Sequence, residues 1–408
     1  MCVHVSTSLS KGASLRRGQS RARMGTVFGR ARGEAPAARE GPVLVFYNGS
    51  AGGGKGAKLG RKLQELVAPG RSVDVRERSP HDVLLAVRDA MEDPGSGEDW
   101  RELRVLAVGG DGTVGSVLEA VMRLEATSDG YRPPVGVVPM GTGNDLARCL
   151  GWIGAEEESP ARILKAACEA PVTSMDAWQL NVTGMQLQRG ERAPPSLTQA
   201  EDGSFSGTFF NYLSVGPDAE TAREFDGMRR RHPSLLSRQA TNQVAYAAVG
   251  AKFVCCDLKG CVGHTPSLAK HGDLEVKRGD PSSEWVPVEG WKEGGIHGLV
   301  ALSVPSYAGG RNLWGRRKDG PRVNDGQLTL TGFRSMARLA CALGFGRNFH
   351  GEGLGRAVAL RLRLDSTTKF VGVQVDGEPF HLRGPADLEI TSGATVSVLQ
   401  GPRFRSDA

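Results

Sequence analysis

One local pattern occurs three times in the chain and constrains its fold more than any other feature. Each copy is a short apolar run, a glycine-rich loop and a segment with helical spacing. The apolar runs span Pro42 to Tyr47, Leu103 to Val108 and Val135 to Val138, and their loops read NGSAGGGKG, GGDGT and GTGND. The helical spacing is carried by Leu59, Leu63, Leu66 and Val67, then by Val114, Val117, Leu118, Val121 and Leu124, then by Leu146, Ala147 and Leu150. Alternating strands and helices predict a parallel sheet, whose loops meet at the edge where ligands bind.

The three loops are suited to bind phosphate. Backbone N–H groups at a helix start attract anions, and glycine lets an oxyanion approach them closely. Neither the P-loop pattern nor a Rossmann GxGxxG follows a strand here. Glycine turns that only join strands to helices are the alternative for each single loop, and Thr142 to Asp145 also fits a capping box that starts a helix. Convergence of three such loops favours an anion site.

Asp111 is the loop residue that a purely structural role explains least. Its carboxylate would repel a phosphate unless a divalent cation lies between them, an arrangement that magnesium-nucleotide chemistry uses. Asp111 is therefore predicted to face a metal-nucleotide or a reacting hydroxyl.

Composition excludes several classes of protein. The 408 residues suffice for two to three domains, and the seven cysteines lack disulfide or zinc-site spacing. Eight Lys/Arg and two Glu fall within residues 1–40, so this arm carries the whole net charge of +6. The neutral remainder argues against nucleic-acid binding. For the arm, three alternatives stay open: an organelle (chloroplast or mitochondrial) transit peptide, an arm that favours anionic membranes, or a solvated tail.

Longer stretches carry a family resemblance. GGDGT resembles the nucleotide loop of diacylglycerol, sphingosine, ceramide and NAD kinases and of phosphofructokinases. PPVGVVPMGTGNDLARCLGW, from Pro133 to Trp152, is similar over its whole length to the diacylglycerol kinase catalytic domain. NYLSVGPDAETAREFDGMRRRHP, PSYAGGRNLWG, NDGQLTLTGF and QVDGEPF resemble the accessory region of that family. The resemblance covers residues 41 to 400 in collinear order.

The resemblance implies an α/β N-terminal domain with a parallel sheet, as in phosphofructokinases and NAD kinases, and a β-rich C-terminal domain that binds lipid. The expected domains are an arm at 1–40, a nucleotide-binding domain at 41–170, an accessory domain at 171–385 and a return segment at 386–408 that packs on the first domain. The implied activity is ATP- and Mg²⁺-dependent phosphorylation of membrane diacylglycerol to phosphatidic acid, in lipid metabolism and signal transduction. A sphingoid or ceramide kinase and a non-catalytic membrane adaptor are the alternatives. No run of about 18 apolar residues is present, so a soluble or membrane-peripheral cytoplasmic protein is expected, with an organelle location left open by the arm.

The resemblance also implies roles for individual residues. Asp376 and Asp111 would be catalytic, with either as the base, and Asp111 and Glu378 would hold the metal. Asp218 and Asp145 would contact the lipid substrate. Nucleotide contacts would come from Asn48, Gly109, Gly110, Gly112, Thr113, Gly141, Thr142, Gly143, Asn144 and Glu378.

Three departures from the family pattern stand out. Gly49 follows Asn48, where relatives usually carry proline or a basic residue. Arg322 stands where bacterial relatives have a second acid beside a structural Mg²⁺, so that ion is not expected near Asp325. The segments at about Val182 to Gly207 and Gly260 to Gly290 match poorly and are rich in glycine, proline and charge, which predicts solvated loops.

Overall fold

The first half of the chain folds around parallel strands that alternate with helices. The strands are β1 (Val43–Tyr47), β2 (Ser72–Asp74), β3 (Arg104–Gly109) and β4 (Val135–Pro139), in the spatial order β4-β3-β1-β2. The helices are α1 (Lys55–Gln64), α2 (Pro80–Glu92), α3 (Asp111–Arg123), α4 (Asp145–Cys149) and α5 (Pro160–Glu169). The computed structural model describes residues 41–125, 130–187, 193–231, 248–249, 267–293, 295–315, 319–335, 338–339 and 350–404.

Helix α3 shows why these segments fold as the periodicity predicts. Val114, Val117, Leu118 and Val121 are all buried, because their spacing places them on the side of the helix that faces the sheet. In α1, an ideal Cβ on Gly60 would lie 2.4 Å from the ring of Tyr47, so the helix approaches β1 closely only because that position has no side chain. Helix α1 ends at Gln64, so the predicted inclusion of Leu66 and Val67 is wrong, and Leu66 is exposed.

The second half is rich in β-structure. Its strands are β5 (Val172–Val182), β6 (Met185–Gln186), β7 (Leu197–Gln199), β8 (Phe205–Phe209), β9 (Tyr212–Val215), β10 (Gly272–Lys277), β11 (Val286–Pro287), β12 (Gly298–Leu302), β13 (Leu328–Phe333), β14 (Glu352–Ala357), β15 (Ala359–Leu364), β16 (Val371–Val375), β17 (Glu378–Leu382) and β18 (Ala386–Leu399). Two described helices, α6 (Pro217–Arg231) and α7 (Leu268–His271), accompany them. The predicted α/β first half and β-rich second half are confirmed.

The long strands β5 and β18 connect the two halves. They pair antiparallel along most of their length, with a register shift between Ser392 and Thr395. At one end of β18, Val398 pairs in parallel with Val135 of β4, and at the other end Ala386 to Thr391 pair with β15. One large sheet therefore runs from the parallel strands into the antiparallel ones, in the order β11-β10-β15-β18-β4-β3-β1-β2.

A second, antiparallel sheet has the order β14-β13-β12-β9-β16-β17-β6. One face of it packs on the antiparallel part of the large sheet, and alternate residues such as Leu213, Leu330 and Val373 join Trp178 and Leu362 in one buried cluster. Period-2 alternation places these side chains on a common face. The second half is thus a β-sandwich, and residues 40–408 form one compact unit in which the predicted internal domain boundaries remain predictions.

The prediction that two segments are solvated loops is partly wrong. The first contains β6, β7 and the start of β8, and the second contains α7, β10 and β11. In β10, Leu274 and Val276 are buried while Asp273 is exposed and Glu275 is half-buried, an alternation that the surrounding glycines and charges hide in the sequence. The alternatives for residues 1–40 lie outside the described residues.

Candidate active site

The three glycine loops meet at the carboxyl edge of the parallel strands. Asn48 in the first loop donates a hydrogen bond from Nδ2 to Thr113 Oγ1 of the second, at 3.2 Å. The second and third loops touch through their backbones, since an ideal Cβ on Gly141 would lie 2.6 Å from the Cα of Gly110. A side chain at Gly141 would therefore force the two loops apart. At Gly109, an ideal Cβ would lie 2.5 Å from the side chain of Thr113.

The third loop is held by Asn144. This residue has a left-handed backbone with φ of 55°, and its side chain accepts from Gly141 N at 2.8 Å and donates to Gly141 O at 2.9 Å. Helix α4 has Asn144, not Thr142, as its N-cap, and the side chain of Asn144 makes no capping bond to it, so the capping box that Thr142 to Asp145 could form is not the N-terminus of this helix. The amide of Asn144 shapes the loop, and its predicted nucleotide contact remains a prediction, as does that of the neighbouring, partly buried Thr142.

Asp111 begins helix α3 and points toward the third loop. Its carboxylate accepts from the backbone N–H groups of Asp145 and Leu146, both at 3.3 Å. Gly143 lies directly against it, because an ideal Cβ there would be 3.0 Å from Asp111 Oδ2. Burial raises the pKa of Asp111 to about 7, and the negative charge of Asp145 adds to this. The two backbone hydrogen bonds therefore stabilise the ionised carboxylate less than burial and Asp145 destabilise it.

Asp145 connects the third loop to the second half of the chain. It is only 1% exposed, and its carboxylate accepts from the Ser306 hydroxyl and from the backbone N–H groups of Gly309 and Gly310, both at 3.1 Å. The chain bends into this arrangement with positive φ at Ala308, Gly309 and Gly310. Protein donors thus surround Asp145, whose predicted contact with the lipid stays a prediction.

Asp376 enters the same region from the β16–β17 hairpin. Asp376 and Gly377 both have positive φ, 48° and 88°, as a two-residue hairpin turn requires. The carboxylate accepts three backbone N–H groups, from Phe210 at 2.9 Å, Asn211 at 2.8 Å and Tyr212 at 3.1 Å. Burial nevertheless raises the pKa of Asp376 to about 6, against the lowering effect of these hydrogen bonds.

The acidic side chains of both halves share one cleft. The charge of Asp376 helps to raise the pKa of Asp111, and the charge of Asp145 helps to raise that of Asp376. The side chain of Glu378, at the start of β17, packs against the first turn of α3, since an ideal Cβ on Gly112 would be 3.7 Å from Glu378 Oε1. A cleft that gathers carboxylates whose charges are poorly compensated is suited to accept a cation.

The carboxylates at this cleft fit a magnesium ion whose remaining coordination positions are filled by phosphate oxygens and water. Mg²⁺ is usually held by one or two carboxylates together with phosphate oxygens and water. Asp111 and Glu378, on either side of Gly112, offer such a pair, and the raised pKa of Asp111 is what a bound cation would reverse. Among the described residues, no group of three or more acidic, histidine or cysteine side chains is placed to hold a metal by itself.

Asp218 belongs to a buried polar network of its own. It is 4% exposed, at the start of α6, and its Oδ2 accepts from Ser214 Oγ at 2.9 Å and from the side chains of Tyr307 and Gln374. Tyr307 belongs to the same stretch as Ser306 and Gly309, which bind Asp145. Asp218 therefore anchors the other side of the segment that Asp145 holds, and its predicted lipid contact remains a prediction.

Sequence reasoning missed several groups at this site. Phe210, Asn211 and Tyr212 support Asp376 through their backbone, and Ser306 and Gly309 support Asp145. The stretch PSYAGGRNLWG contains two of these residues and was notable in sequence, but nothing local in it indicates a partner some 160 residues away. In the part of the chain that the structure describes, no helix is both long and apolar enough to cross a bilayer.

Sequence comparisons extend over most of the chain. A model of the diacylglycerol kinase catalytic domain matches residues 42–180, and a model of the diacylglycerol kinase accessory domain matches residues 208–379. Diacylglycerol kinase iota of Mus musculus is 32% identical over 375 residues, which cover 90% of this chain but only 32% of the mouse protein. Diacylglycerol kinase 4 of Arabidopsis thaliana is 30% identical over 390 residues, covering 83% of this chain and 76% of that protein.

A solved structure shows the same fold. A putative diacylglycerol kinase from Bacillus anthracis aligns with a TM-score of 0.50 at 16% identity, covering 90% of this chain and 99% of that one. Both domain models, the relatives and the two-part architecture agree, and the chain belongs to the diacylglycerol kinase family.

Proposed function

We propose that the protein is an ATP-dependent diacylglycerol kinase, which transfers the γ-phosphoryl group of ATP to the free hydroxyl of 1,2-diacylglycerol and yields phosphatidic acid. The observation that carries this proposal is the meeting of Asp111, at the glycine loops of the first half, with Asp376 from a hairpin of the second half. One carboxylate is thus available on the nucleotide side and one on the opposite side of the same cleft.

In this mechanism the glycine loops bind the phosphates of ATP through backbone N–H groups. Asp111 and Glu378 would hold Mg²⁺, which would neutralise charge on the phosphates when bound. The close contact of Gly110 with Gly141 supports phosphate binding by these loops. Neither residue has a side chain, so the loop backbone stays accessible to phosphate oxygens.

Asp376 is the proposed general base. The lipid hydroxyl oxygen forms a bond to the γ-phosphorus, the bond from that phosphorus to the bridging oxygen of ADP breaks, and the hydroxyl proton passes to Asp376. A pKa of about 6 keeps this carboxylate largely ionised near neutral pH and still basic enough to accept a proton. Its three backbone hydrogen bonds fix its position without a competing positive charge.

The lipid is proposed to approach from the side of the second half, where Asp218 orders the segment that contains Tyr307. Diacylglycerol resides in membranes, so the protein would act as a peripheral enzyme at a membrane surface on the cytoplasmic side.

A lipid panel tests the function. The purified 408-residue chain is incubated with Mg²⁺ and γ-labelled ATP and with diacylglycerol, sphingosine or ceramide in mixed micelles, beside NAD in solution. We expect labelled phosphatidic acid as the main product, and the Asp376→Asn variant serves as the catalytic control. Preferred labelling of sphingosine or ceramide would instead establish the sphingoid or ceramide kinase, and vesicle binding without ATP consumption would establish an adaptor.

A further inference from the structure

Arg76 lies just beyond the end of β2, the strand beside β1, and its guanidinium is held in a fixed plane. Asp74 is 3% exposed and accepts from Arg76 Nε at 3.0 Å and from Arg76 Nη2 at 2.5 Å. The backbone N–H of Arg76 also donates to Asp74, at 3.0 Å. The hydrogen bonds from Arg76 hold the pKa of Asp74 below its usual value despite burial, so the pair is ionic. A buried carboxylate thus orients a cationic side chain that is itself 52% exposed.

The guanidinium lies on the first glycine loop. An ideal Cβ on Gly49 would be 2.3 Å from Arg76 Nη2, and Gly49 N donates to Asp74 Oδ1 at 3.4 Å. The absence of a side chain at residue 49 therefore leaves the space that Arg76 occupies. Because Gly49 follows Asn48, which bonds to Thr113, the guanidinium belongs to the edge where the glycine loops meet.

Several acidic side chains lie near this edge, where the guanidinium of Arg76 adds a positive charge. The cleft contains the carboxylates of Asp111, Asp376 and Glu378, and the charged side chain of the first loop, Lys55, is exposed at the start of α1. Asn48 and Ser50 are bonded to each other, with Ser50 Oγ donating to Asn48 Oδ1 at 2.7 Å. A nucleotide polyphosphate in this setting gains from a fixed cation, and arginine offers planar donors that match phosphate oxygens.

We propose that Arg76 is a phosphate-binding residue of the nucleotide site, with its guanidinium positioned by Asp74; this inference rests on the proposed ATP site. With Nε and Nη2 engaged by Asp74, Nη1 is the nitrogen available to a phosphate oxygen. The contrasting explanation is that Arg76 only braces the first loop.

The test measures the affinity of adenosine, AMP, ADP and ATP by calorimetry without Mg²⁺, so that it is independent of phosphoryl transfer. Arg76→Gln is compared with Arg78→Gln, which removes the same charge from an exposed position two residues away. We expect Arg76→Gln to weaken ADP and ATP binding by about tenfold, the loss of one partly solvated charge-assisted hydrogen bond. Adenosine affinity should stay within about twofold, and Arg78→Gln should leave all four ligands near wild type.

The outcomes separate the explanations. An equal loss for adenosine and ATP in Arg76→Gln would show that Arg76 only braces the loop, and equal behaviour of the two arginine variants would also overturn the inference. Arg76→Lys keeps the charge, so it should retain part of the preference for ATP over adenosine. If the wild-type chain binds no nucleotide, the proposed ATP site itself is wrong, a result distinct from failure at Arg76 alone.

Discussion

Replacing Asp376 by asparagine is expected to separate nucleotide binding from turnover. The asparagine oxygen can still accept the N–H groups of Asn211 and Tyr212, while its NH2 group replaces the acceptor of the Phe210 N–H, so two of the three backbone bonds should keep the hairpin in place. The group that accepts the proton is lost, and a general base contributes about 10²–10⁴-fold, so turnover should fall by at least about a hundredfold. The affinity for Mg·ATP should change by less than about threefold, since the proposed nucleotide contacts lie on the other side of the cleft.

The pH profile provides a second measure of the same role. With a pKa of about 6 for Asp376, about a tenth of this carboxylate is ionised at pH 5 and about nine-tenths at pH 7. We therefore expect wild-type kcat/KM to fall about tenfold from pH 7 to pH 5, while the residual rate of the variant is flat over that range. Assays are run at saturating Mg²⁺, because a bound cation favours the ionised form of Asp111.

Two further variants make the comparison specific. Asp111→Asn should lose both nucleotide affinity and turnover, and Asp89→Asn, an exposed acid on α2, should change neither. Turnover is measured with labelled ATP and affinity by calorimetry on the same preparations. If Asp376→Asn keeps a rate near that of wild type while Asp111→Asn binds Mg·ATP but is inactive, the two roles are exchanged and Asp111 is the base.

Four other predictions follow from the geometry. Gly141→Ala, whose Cβ would press on the Gly110 backbone, should abolish nucleotide binding, whereas Gly115→Ala on α3 meets nothing within 4 Å and should raise the free energy of unfolding by up to about 1 kcal/mol in urea titrations. Asp218→Asn should raise the apparent KM for lipid far more than that for ATP; equal effects in steady-state kinetics would assign Asp218 a purely structural role. Arg356→Gln leaves Asp325 without its ion-pair partner, next to Asp176, whose pKa is already raised by burial and by Asp325. The free energy of unfolding in urea should therefore fall by about 2 kcal/mol, whereas Arg383→Gln at an exposed position should leave it unchanged. Asp111 and Asp376 have raised pKa values in the folded protein, so between about pH 4 and 7 the folded protein binds protons that the unfolded chain releases. The contribution of these two acids to the free energy of unfolding therefore falls as pH rises through that range, by roughly 3 kcal/mol for Asp376. The Asp111→Asn/Asp376→Asn double variant should flatten this pH dependence, and an unchanged slope would contradict the reasoning.

Local periodicity was sufficient for much of the fold. The apolar runs that end in glycine loops are β1, β3 and β4. These features are readable because a strand or helix imposes its own period on the residues that it buries. The same reasoning places Asp111 at the start of a helix beside the glycine-loop backbone, since only neighbours in sequence are involved.

Local patterns gave less information where charge and glycine dominate. In β10, two buried side chains alternate with charged ones that are less buried, and the segment has the composition of a loop. Pairing along its whole length with β15 makes it a strand, and the residues of that partner lie about 80 to 90 positions away in the sequence.

The sequence by itself thus determined the parallel sheet, the glycine loops at its edge and the types of residue that the loops present. The tertiary structure alone decided what each acid contacts: Asp376 meets the backbone of Asn211 across 165 residues, and Asp145 meets Ser306 across 161. It also brought Arg76 from one strand onto the loop that follows another. These contacts depend on how separate elements pack, and neither periodicity nor local spacing encodes which distant N–H group a carboxylate will meet.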